Sequence, residues 1–271
     1  MRVAYLGPEG TNSHDATLAR YDAAELVPFP DIPSTIAAVG AGAVDEALVP
    51  IENSIEGSVT VTLDMLIAED APCIVGETVL VVRHQLIARP GTRLTDVERV
   101  VSIAQAAAQC RTYLRDRLPG AQVFPALSTA AAVAACVHSD RIAAIGTEAA
   151  ARLYGMEIIA ADIEDHAGNA TRFVALGQTA PPPTGRDRTS LVFTFAEDRP
   201  GSLVAVLTPF AERAINLTKI ESRPTKAGLG RYHFLIDCEG HAVDEPVAAA
   251  IAAIRPLTDG LRVLGSYPRA V

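Results

Sequence analysis

Apolar runs of strand length alternate with alanine-rich segments of helical period along the first two thirds of this 271-residue chain. The runs at residues 3–6 and 25–29 are each followed by a helical pattern, at about residues 13–20 and 35–39. Strands that alternate with helices build a largely parallel sheet covered by those helices. The sequence therefore predicts an α/β fold class for this region.

A second series of the same kind follows the long apolar stretch at residues 74–82. We therefore expect two lobes, the first formed by about residues 1–76 and 160–178 and the second by about residues 77–159. The strand-like segments at 158–160 and 173–176 would return the chain to the first lobe. A cleft between two such lobes is a common place for a small-molecule site.

A segment without periodicity separates this region from the rest of the chain. Three consecutive prolines, Pro181 to Pro183, exclude a helix or a central strand there. We place the α/β region at residues 1–178 and a linker at 179–188, which acts as a semi-rigid spacer or as a regulatory hinge. Residues 189–271 follow the order strand, helix, strand, strand, helix, strand, which predicts a ferredoxin-like βαββαβ module.

Composition restricts the partners and the compartment. The formal net charge of −9 repels polyanions, so we expect no nucleic-acid partner. The four cysteines lie far apart with no Cys-x-x-Cys pair, which argues against a zinc site or a disulfide framework. No stretch approaches the ~18 apolar residues of a membrane span, and the chain opens on a strand pattern without an apolar leader. We expect a cytoplasmic protein with no membrane partner.

Polar residues follow several predicted strands, where open α/β sheets bind their ligands. The turn at residues 7–13 lacks the spacing of a dinucleotide fingerprint and a Walker lysine, which disfavours NAD and ATP. Such residues either bind a ligand or cap the next helix. Helix amino ends gathered around one cleft would attract a small anion without net positive charge. The candidates in these positions are Thr11, Glu52, Asn53, Ser54, Ser102 and Gln105.

Four motifs, in this order along the chain, give it a family resemblance. They are Gly7-Pro8-Glu9-Gly10-Thr11, Pro50-Ile51-Glu52-Asn53-Ser54, Gly168-Asn169-Ala170-Thr171-Arg172-Phe173 and Asn216-Leu217-Thr218-Lys219-Ile220-Glu221-Ser222-Arg223-Pro224. Together they resemble the prephenate dehydratases over nearly the whole chain. The resemblance implies a two-lobed, periplasmic-binding-protein-like catalytic region that converts prephenate to phenylpyruvate, water and CO₂ in L-phenylalanine biosynthesis. It also implies that no metal and no organic cofactor take part.

The resemblance assigns roles to residues of the cleft. It implies that Thr171 is the catalytic residue that assists departure of the hydroxyl, and that Asn53 and Gln105 bind or orient the substrate. Glu52 or water would be the ultimate proton source. Arg172 would either pair with a substrate carboxylate or hold a lobe junction through a salt bridge. The remaining substrate-binding candidates are Thr11, Ser54 and Ser102.

One departure from the family pattern leaves the substrate open. Ile103 and Ala104 stand where the family commonly has histidine and proline, so one wall of the cleft differs. Arogenate, which carries an amine in place of the keto oxygen, is the alternative substrate. A non-catalytic sensor of a small anion or an amino acid is the alternative outside enzymes.

The C-terminal module resembles an ACT domain. The resemblance implies that L-phenylalanine binds between two such modules as an allosteric effector, which requires at least a homodimer, either alone or within a homotetramer. Truncation after Gln178 is expected to leave a catalytic fragment without this response, provided that the lobes fold alone. The effector residues would be Gly201, Ser202, Leu203, Val204, Asn216, Leu217, Glu221, Ser222, Arg223 and Pro224.

Overall fold

The computed structural model describes residues 1–195, 197, 199–228 and 230–270. The first lobe contains β1 (Arg2–Leu6), α1 (Asn12–Arg20), β2 (Glu25–Phe29), α2 (Ile32–Gly40), β3 (Glu46–Asn53), β4 (Gly57–Ser58), α3 (Thr60–Ile67), β5 (Cys73–Val81) and, later in the chain, β11 (Ala170–Gly177). Its sheet has the order β2-β1-β3-β11-β5, with β4 added to β3. Strands β1, β2 and β3 are parallel, whereas β11 runs antiparallel to both of its neighbours.

The second lobe is built on a separate five-stranded sheet. Its elements are β6 (Gln85–Ala88), β7 (Arg99–Ser102), α4 (Ala104–Gln109), α5 (Arg111–Arg117), β8 (Gln122–Pro125), α6 (Thr129–Ala135), β9 (Ile142–Gly146), α7 (Glu148–Tyr154) and β10 (Glu157–Ala160). The strand order is β10-β6-β9-β7-β8. Two segments, one after β5 and one before β11, connect the lobes, which confirms the two-lobed α/β architecture.

Two strands lie in sheets other than the expected ones. Strand β5 pairs with β11 in the first sheet along its whole length, so that sheet continues past residue 76 to Val81. Strand β10 pairs with β6 in the second sheet, so residues 158–160 do not yet return to the first lobe. An apolar run predicts a strand, but it carries no information about which sheet buries the strand.

The predicted helix at residues 105–117 is divided in two. Helix α4 ends at Gln109, and Cys110 has φ −115° and ψ 20°, outside the helical range, before α5 begins. Cys110 itself is fully buried in the core of the second lobe. Alanine-rich periodicity continues across this break, which is why the sequence alone predicts one helix.

The C-terminal module has the predicted βαββαβ order. It comprises β12 (Asp187–Thr194), α8 (Ser202–Glu212), β13 (Leu217–Pro224), β14 (Tyr232–Glu239), α9 (Glu245–Ile254) and β15 (Asp259–Pro268). The sheet order is β13-β14-β12-β15, and every pairing is antiparallel. Strand β12 begins at Asp187, inside the predicted linker. Asp187 is buried and accepts hydrogen bonds from Thr184.

The module shares a hydrophobic core with the first lobe. Leu235, Leu264 and Tyr267 of its sheet pack in one cluster with Leu66 and Ile74 of the first lobe. The approach is so close that a Cβ atom on Gly265 would lie 2.2 Å from the carbonyl oxygen of Ile74. Truncation after Gln178 would expose this apolar face to water. The shared core therefore opposes the expectation that the first 178 residues fold alone.

Among the described residues, no helix combines the length and the apolar character needed to cross a membrane.

Candidate active site

A cavity of about 400 Å³ lies between the two lobes. Its apolar lining includes Leu6, Pro30, Ile32, Val59, Ile103 and Phe173. Its polar lining comprises Thr11, Asn12, Ser13, Asn53, His84, Gln105, Gln109, Ser128, Thr129, Asn169 and Thr171. Of the described residues that line it, none is a lysine, arginine, aspartate or glutamate, and His84 is the only ionisable one.

Thr171 and Asn53 face this cavity as a hydrogen-bonded pair. They lie opposite each other in the antiparallel pairing of β11 with β3, so their side chains project on the same face of the sheet. Asn53 Oδ1 accepts hydrogen bonds from the backbone N–H groups of Ile55 and Glu56, both at 3.0 Å. Asn53 Nδ2 then donates to Thr171 Oγ1 at 2.9 Å. Because Thr171 Oγ1 accepts this bond, its own proton remains available for a group bound in the cavity.

A chain of side-chain amides continues from this pair. Asn53 Nδ2 also donates to Asn169 Oδ1 at 2.7 Å, and Asn169 Nδ2 donates to Gln109 Oε1 at 2.9 Å. Gln109 Nε2 donates in turn to Glu56 Oε1 at 3.0 Å. Gln109 comes from the second lobe and Glu56 from the first, so this chain also ties the lobes together.

Sequence reasoning assigned no role to Gln109, Asn169 or His84. Gln109 lies four residues after Gln105, one turn further along, so the two amides share one face of the predicted helix. That spacing is a signal that could have identified Gln109. Asn169 lies inside the Gly-Asn-Ala-Thr-Arg-Phe motif, two residues from Thr171, so the alternation of a strand places it on the same face.

Three of the predicted hydroxyls are used by the protein itself. Thr11 lines the cavity, but its Oγ1 donates to the Pro8 carbonyl at 2.9 Å and caps α1. Ser102 is 1% exposed and donates to the Ile103 carbonyl. Ser54 accepts a hydrogen bond from Ala170 N. Gln105 lines the cavity, whereas Ser54 and Ser102 are not among the described residues that line it, so nothing in the geometry supports their assignment to the substrate.

Glu52 and Arg172 point away from the cavity, towards the C-terminal module. They are paired in the same two strands as Asn53 and Thr171, one residue along, so their side chains project on the opposite face. Arg172 is 5% exposed and binds Glu52 at 2.6 Å, Glu77 at 3.1 Å and Asp237 at 2.9 Å. Arg172 therefore holds a junction through salt bridges, and neither residue is among those that line the cavity.

The surroundings of Glu52 also argue against its being the proton source. Burial alone would raise the pKa of this carboxyl, but the positive charge of Arg172 and the hydrogen bond from Lys219 outweigh burial and lower the pKa. Lys219 Nζ lies 2.9 Å from Glu52 Oε2. A carboxyl with a lowered pKa that faces away from the cavity holds no proton to give at neutral pH.

The predicted effector residues divide between two faces of the module. Gly201 precedes α8 with φ 89°, and Val204 in the first turn of that helix is 67% exposed. Along β13, Ser222 is exposed, whereas Glu221 binds Ser58 and Arg223 binds Asp64 at 3.0 Å. The side chains of Glu221 and Arg223 thus contact the first lobe within one chain, and their placement around an effector stays a prediction. Of the remaining effector candidates, Ser202 and Leu203 begin α8, Asn216 directly precedes β13, and Leu217 and Pro224 are the first and last residues of β13.

No group of three or more histidine, cysteine, aspartate or glutamate side chains is arranged to hold a metal ion in the part of the chain that the structure describes.

Two family models match the chain, one described as prephenate dehydratase at residues 3–181 and the other as ACT domain at residues 189–256. Curated relatives named prephenate dehydratase include proteins of Mycolicibacterium vanbaalenii and Mycobacterium tuberculosis. Both are 43% identical to the chain. The alignments cover 98% and 99% of this chain and 90% and 87% of the relatives, respectively.

Solved structures agree with these matches. A prephenate dehydratase from Arthrobacter aurescens in complex with L-phenylalanine superposes with a TM-score of 0.91 at 38% identity, covering 99% of this chain and 90% of that one. A prephenate dehydratase from Staphylococcus aureus gives a TM-score of 0.87 at 30% identity, covering 98% and 100%. A chain described as a quorum quenching acylase, GqqA, gives 0.88 at 29% identity, covering 99% and 98%.

Proposed function

Because the chain belongs to the prephenate dehydratase family, we propose that it converts prephenate to phenylpyruvate, water and CO₂ in the cavity between its lobes. The observation that carries this proposal is the Asn53–Thr171 pair, which leaves one hydroxyl proton free at the cavity wall. The reaction belongs to L-phenylalanine biosynthesis.

The chemistry demands little from the protein beyond orientation and help for one leaving group. The bond from the ring to its carboxylate breaks, CO₂ leaves, and the electron pair enters the ring. The bond from the opposite ring carbon to its hydroxyl breaks with its electron pair, and the hydroxide becomes water by taking a proton. Formation of an aromatic ring makes the reaction strongly downhill, so the barrier is lowered by positioning and by stabilising the departing oxygen.

Thr171 is suited to stabilise that oxygen through a hydrogen bond. A threonine hydroxyl is a poor general acid near neutral pH, because efficient proton donors have pKa values near the operating pH. Donation of a hydrogen bond that strengthens as charge develops on the leaving oxygen needs no such pKa. With Glu52 facing the other side of the sheet, water bound in the cavity remains as the ultimate proton source.

Anion recognition in this cavity depends on dipoles rather than on formal charges. The amino end of the nine-residue helix α1 contributes Asn12 and Ser13 to the lining, and the second lobe contributes Ser128 and Thr129. Helix amino ends carry partial positive charge and unpaired N–H groups, which favour carboxylates. We assign the two carboxylates of prephenate to these groups.

The same lining argues for prephenate over arogenate. The ammonium group of arogenate would enter a cavity whose described lining has no carboxylate to pair with it, and burying an unpaired charge is costly. We expect kcat/KM for prephenate to exceed that for arogenate by about tenfold or more, a difference of ~1.4 kcal/mol in transition-state binding. Steady-state rates with each substrate at matched concentrations measure this ratio. A preference for arogenate would contradict the substrate assignment while leaving the reaction class intact.

We also propose that L-phenylalanine inhibits the chain by binding to the C-terminal module. The module contacts the first lobe through β13, where Lys219 binds Glu52 and Glu221 binds Ser58. Glu52 contacts the module and the next residue on β3, Asn53, lines the cavity. A shift of the module would therefore move the strand that carries Asn53. This arrangement supports coupling between the effector and the active site.

Substitution of Gly201 is expected to weaken this inhibition. Gly201 has φ 89°, which favours glycine, and Gly201→Leu strains the turn and adds bulk where an effector approaches. The matched control is Gly155→Leu, because Gly155 has φ 63° and, like Gly201, no atom of the described residues within 4 Å of an added Cβ. We expect Gly201→Leu, but not Gly155→Leu, to reduce inhibition by L-phenylalanine. In the wild type, a typical coupling between sites would change the affinity for prephenate by about 5–150-fold. Titration of L-phenylalanine during turnover measures it; inhibition of Gly201→Leu at the wild-type concentration would contradict the proposal.

We further propose a homodimer or homotetramer that works in the cytoplasm. Val204 and Ile220 of the module are 67% and 51% exposed in the isolated chain, and a second module packed there would cover them. All four cysteines are free thiols, which fits a reducing compartment. Burial raises the pKa of the Cys110, Cys136 and Cys238 thiols to about 12, so these three are unreactive.

A further inference from the structure

His84 lies where the two segments that connect the lobes run past each other. It follows β5 in the first segment, and its backbone carbonyl accepts a hydrogen bond from Ile163 N of the second segment at 2.9 Å. Its backbone N–H donates to Glu164 Oε2 at 3.0 Å. The side chain is 4% exposed and lines the cavity. The backbone bonds fix the residue at the hinge, while the imidazole is left to interact with the active site.

The direction of every hydrogen bond between His84 and Thr171 can be assigned. Asn53 Oδ1 accepts from two backbone N–H groups, so Asn53 Nδ2 must be the donor to Asn169 Oδ1. Asn169 Nδ2 is then the donor to Gln109 Oε1. The other amide atom of Gln109 gives the same orientation, because Gln109 Nε2 lies against the Glu56 carboxylate, which can only accept hydrogen bonds. Two independent contacts therefore fix Gln109 Oε1 as an acceptor.

This assignment determines the proton on His84. Its Nε2 lies 2.8 Å from Gln109 Oε1. Two acceptors at that distance would repel each other, so Nε2 must carry a proton and donate it. Gln109 Oε1 thus receives two hydrogen bonds, one from Asn169 and one from His84, and this pair of donors sets the plane of the Gln109 amide.

We propose, on the basis of the function proposed above, that His84 is a positioning residue for the Asn53–Thr171 pair. Its Nε2–H orients Gln109, Gln109 orients Asn169, and Asn169 holds the Nδ2 group that aligns the Thr171 hydroxyl. Removing the His84 donor leaves Gln109 Oε1 under-satisfied and frees the amides to reorient. The effect falls on alignment in the transition state, so kcat falls while KM changes little.

A matched pair of variants separates the N–H donor from the bulk of the ring. Glutamine and methionine are nearly the same length, but only His84→Gln places an N–H at about the distance that Nε2 has from the backbone. We expect His84→Met to lower kcat about tenfold or more with KM within about threefold, and His84→Gln to stay within about threefold of the wild type. The control is His138→Met, because His138 is exposed and lies outside the cavity lining; it should leave both parameters unchanged.

The proposal is overturned if His84→Met turns over prephenate like the wild type, or if His84→Gln is impaired as severely as His84→Met. Thermal unfolding of each variant shows whether it folds. A second readout does not require activity: ¹⁵N-histidine NMR, with the His84 signal identified by its loss in His84→Gln. Protonated Nε2 supports the proposal and bare Nε2 overturns it. If the wild type does not turn over prephenate, the proposed function fails, and the NMR result still decides the state of His84.

Discussion

Replacing Thr171 by alanine is expected to lower turnover of prephenate by more than about 100-fold, with a change in KM of less than about threefold. The hydroxyl accepts from Asn53 Nδ2 and keeps its own proton for the departing oxygen, an interaction made mainly in the transition state. Asn53 keeps its bond to Asn169 in the variant, so the cavity wall should retain its geometry. Steady-state phenylpyruvate formation measures both parameters.

Two further variants test whether the loss of turnover in Thr171→Ala is due to the missing hydroxyl at this position. Thr171→Ser keeps a hydroxyl in the same register and should recover activity to within about tenfold of the wild type. Thr129→Ala removes a different hydroxyl that also lines the cavity and should raise KM more than it lowers kcat. A Thr171→Ala variant with more than half of wild-type turnover would refute the role assigned to this residue.

The second large effect is expected on stability, when Arg172 is replaced by methionine. This substitution removes the cation that Glu52, Glu77 and Asp237 share at the junction with the C-terminal module, two of them nearly buried. Glu52 keeps its pair with Lys219 and Glu77 its pair with Arg188, so the loss falls most on Asp237. Removal of one partner from a buried ion cluster typically destabilises a protein by ~3–5 kcal/mol, because uncompensated charge stays behind. Denaturation with urea measures the change in the free energy of unfolding.

A surface pair supplies the matched control for this prediction. Arg141 binds Glu98, and both side chains are more than half exposed. Exposed ion pairs contribute ~0–1 kcal/mol, so Arg141→Met should change stability by no more than that. Equal losses in the Arg172 and Arg141 variants would show that the buried cluster contributes no more than an ordinary surface pair.

The cluster also makes stability depend on pH. The pKa of Glu52 is lowered in the folded chain, below its ordinary value of 4.5. A group with a lowered folded pKa contributes stability that is present above its unfolded pKa and is lost as pH falls through the folded pKa. The difference in stability between the wild type and Arg172→Met should therefore shrink at acid pH, as Glu52 accepts a proton.

The order of elements could be predicted from the sequence because it depends on local patterns, and the family motifs point to Asn53 and Thr171 individually. The placement of Glu52 and Arg172 could not be predicted, since it depends on which face of two strands meets the cavity. That face is set by the register of β3 against β11, which joins residues 118 positions apart. The placement of Glu52 and Arg172 also depends on the docking of the C-terminal module, whose sheet shares a hydrophobic core with the first lobe.

The role of Gln109 is a second feature of the site that the sequence could not predict. The repeated alanine and glutamine residues predict a helix that contains both Gln105 and Gln109. Their spacing puts the two amides on one face but does not show which of them enters the network. In the structure the helix ends at Gln109, which turns inward and is 7% exposed, whereas Gln105 is exposed at the cavity wall. Selection between the two depends on Asn169 and Glu56, which reach Gln109 from other parts of the chain.

The most direct test is to incubate the purified full-length chain with prephenate and to follow phenylpyruvate by its absorbance in alkali, with released CO₂ measured in parallel. The account predicts many turnovers per chain, equal amounts of the two products, and no dependence on added cofactor. The Thr171→Ala variant, assayed at the same concentration, should turn over prephenate more than about 100-fold more slowly than the wild type. Consumption of prephenate no faster than in buffer alone, or equal rates for the wild type and this variant, would contradict the account.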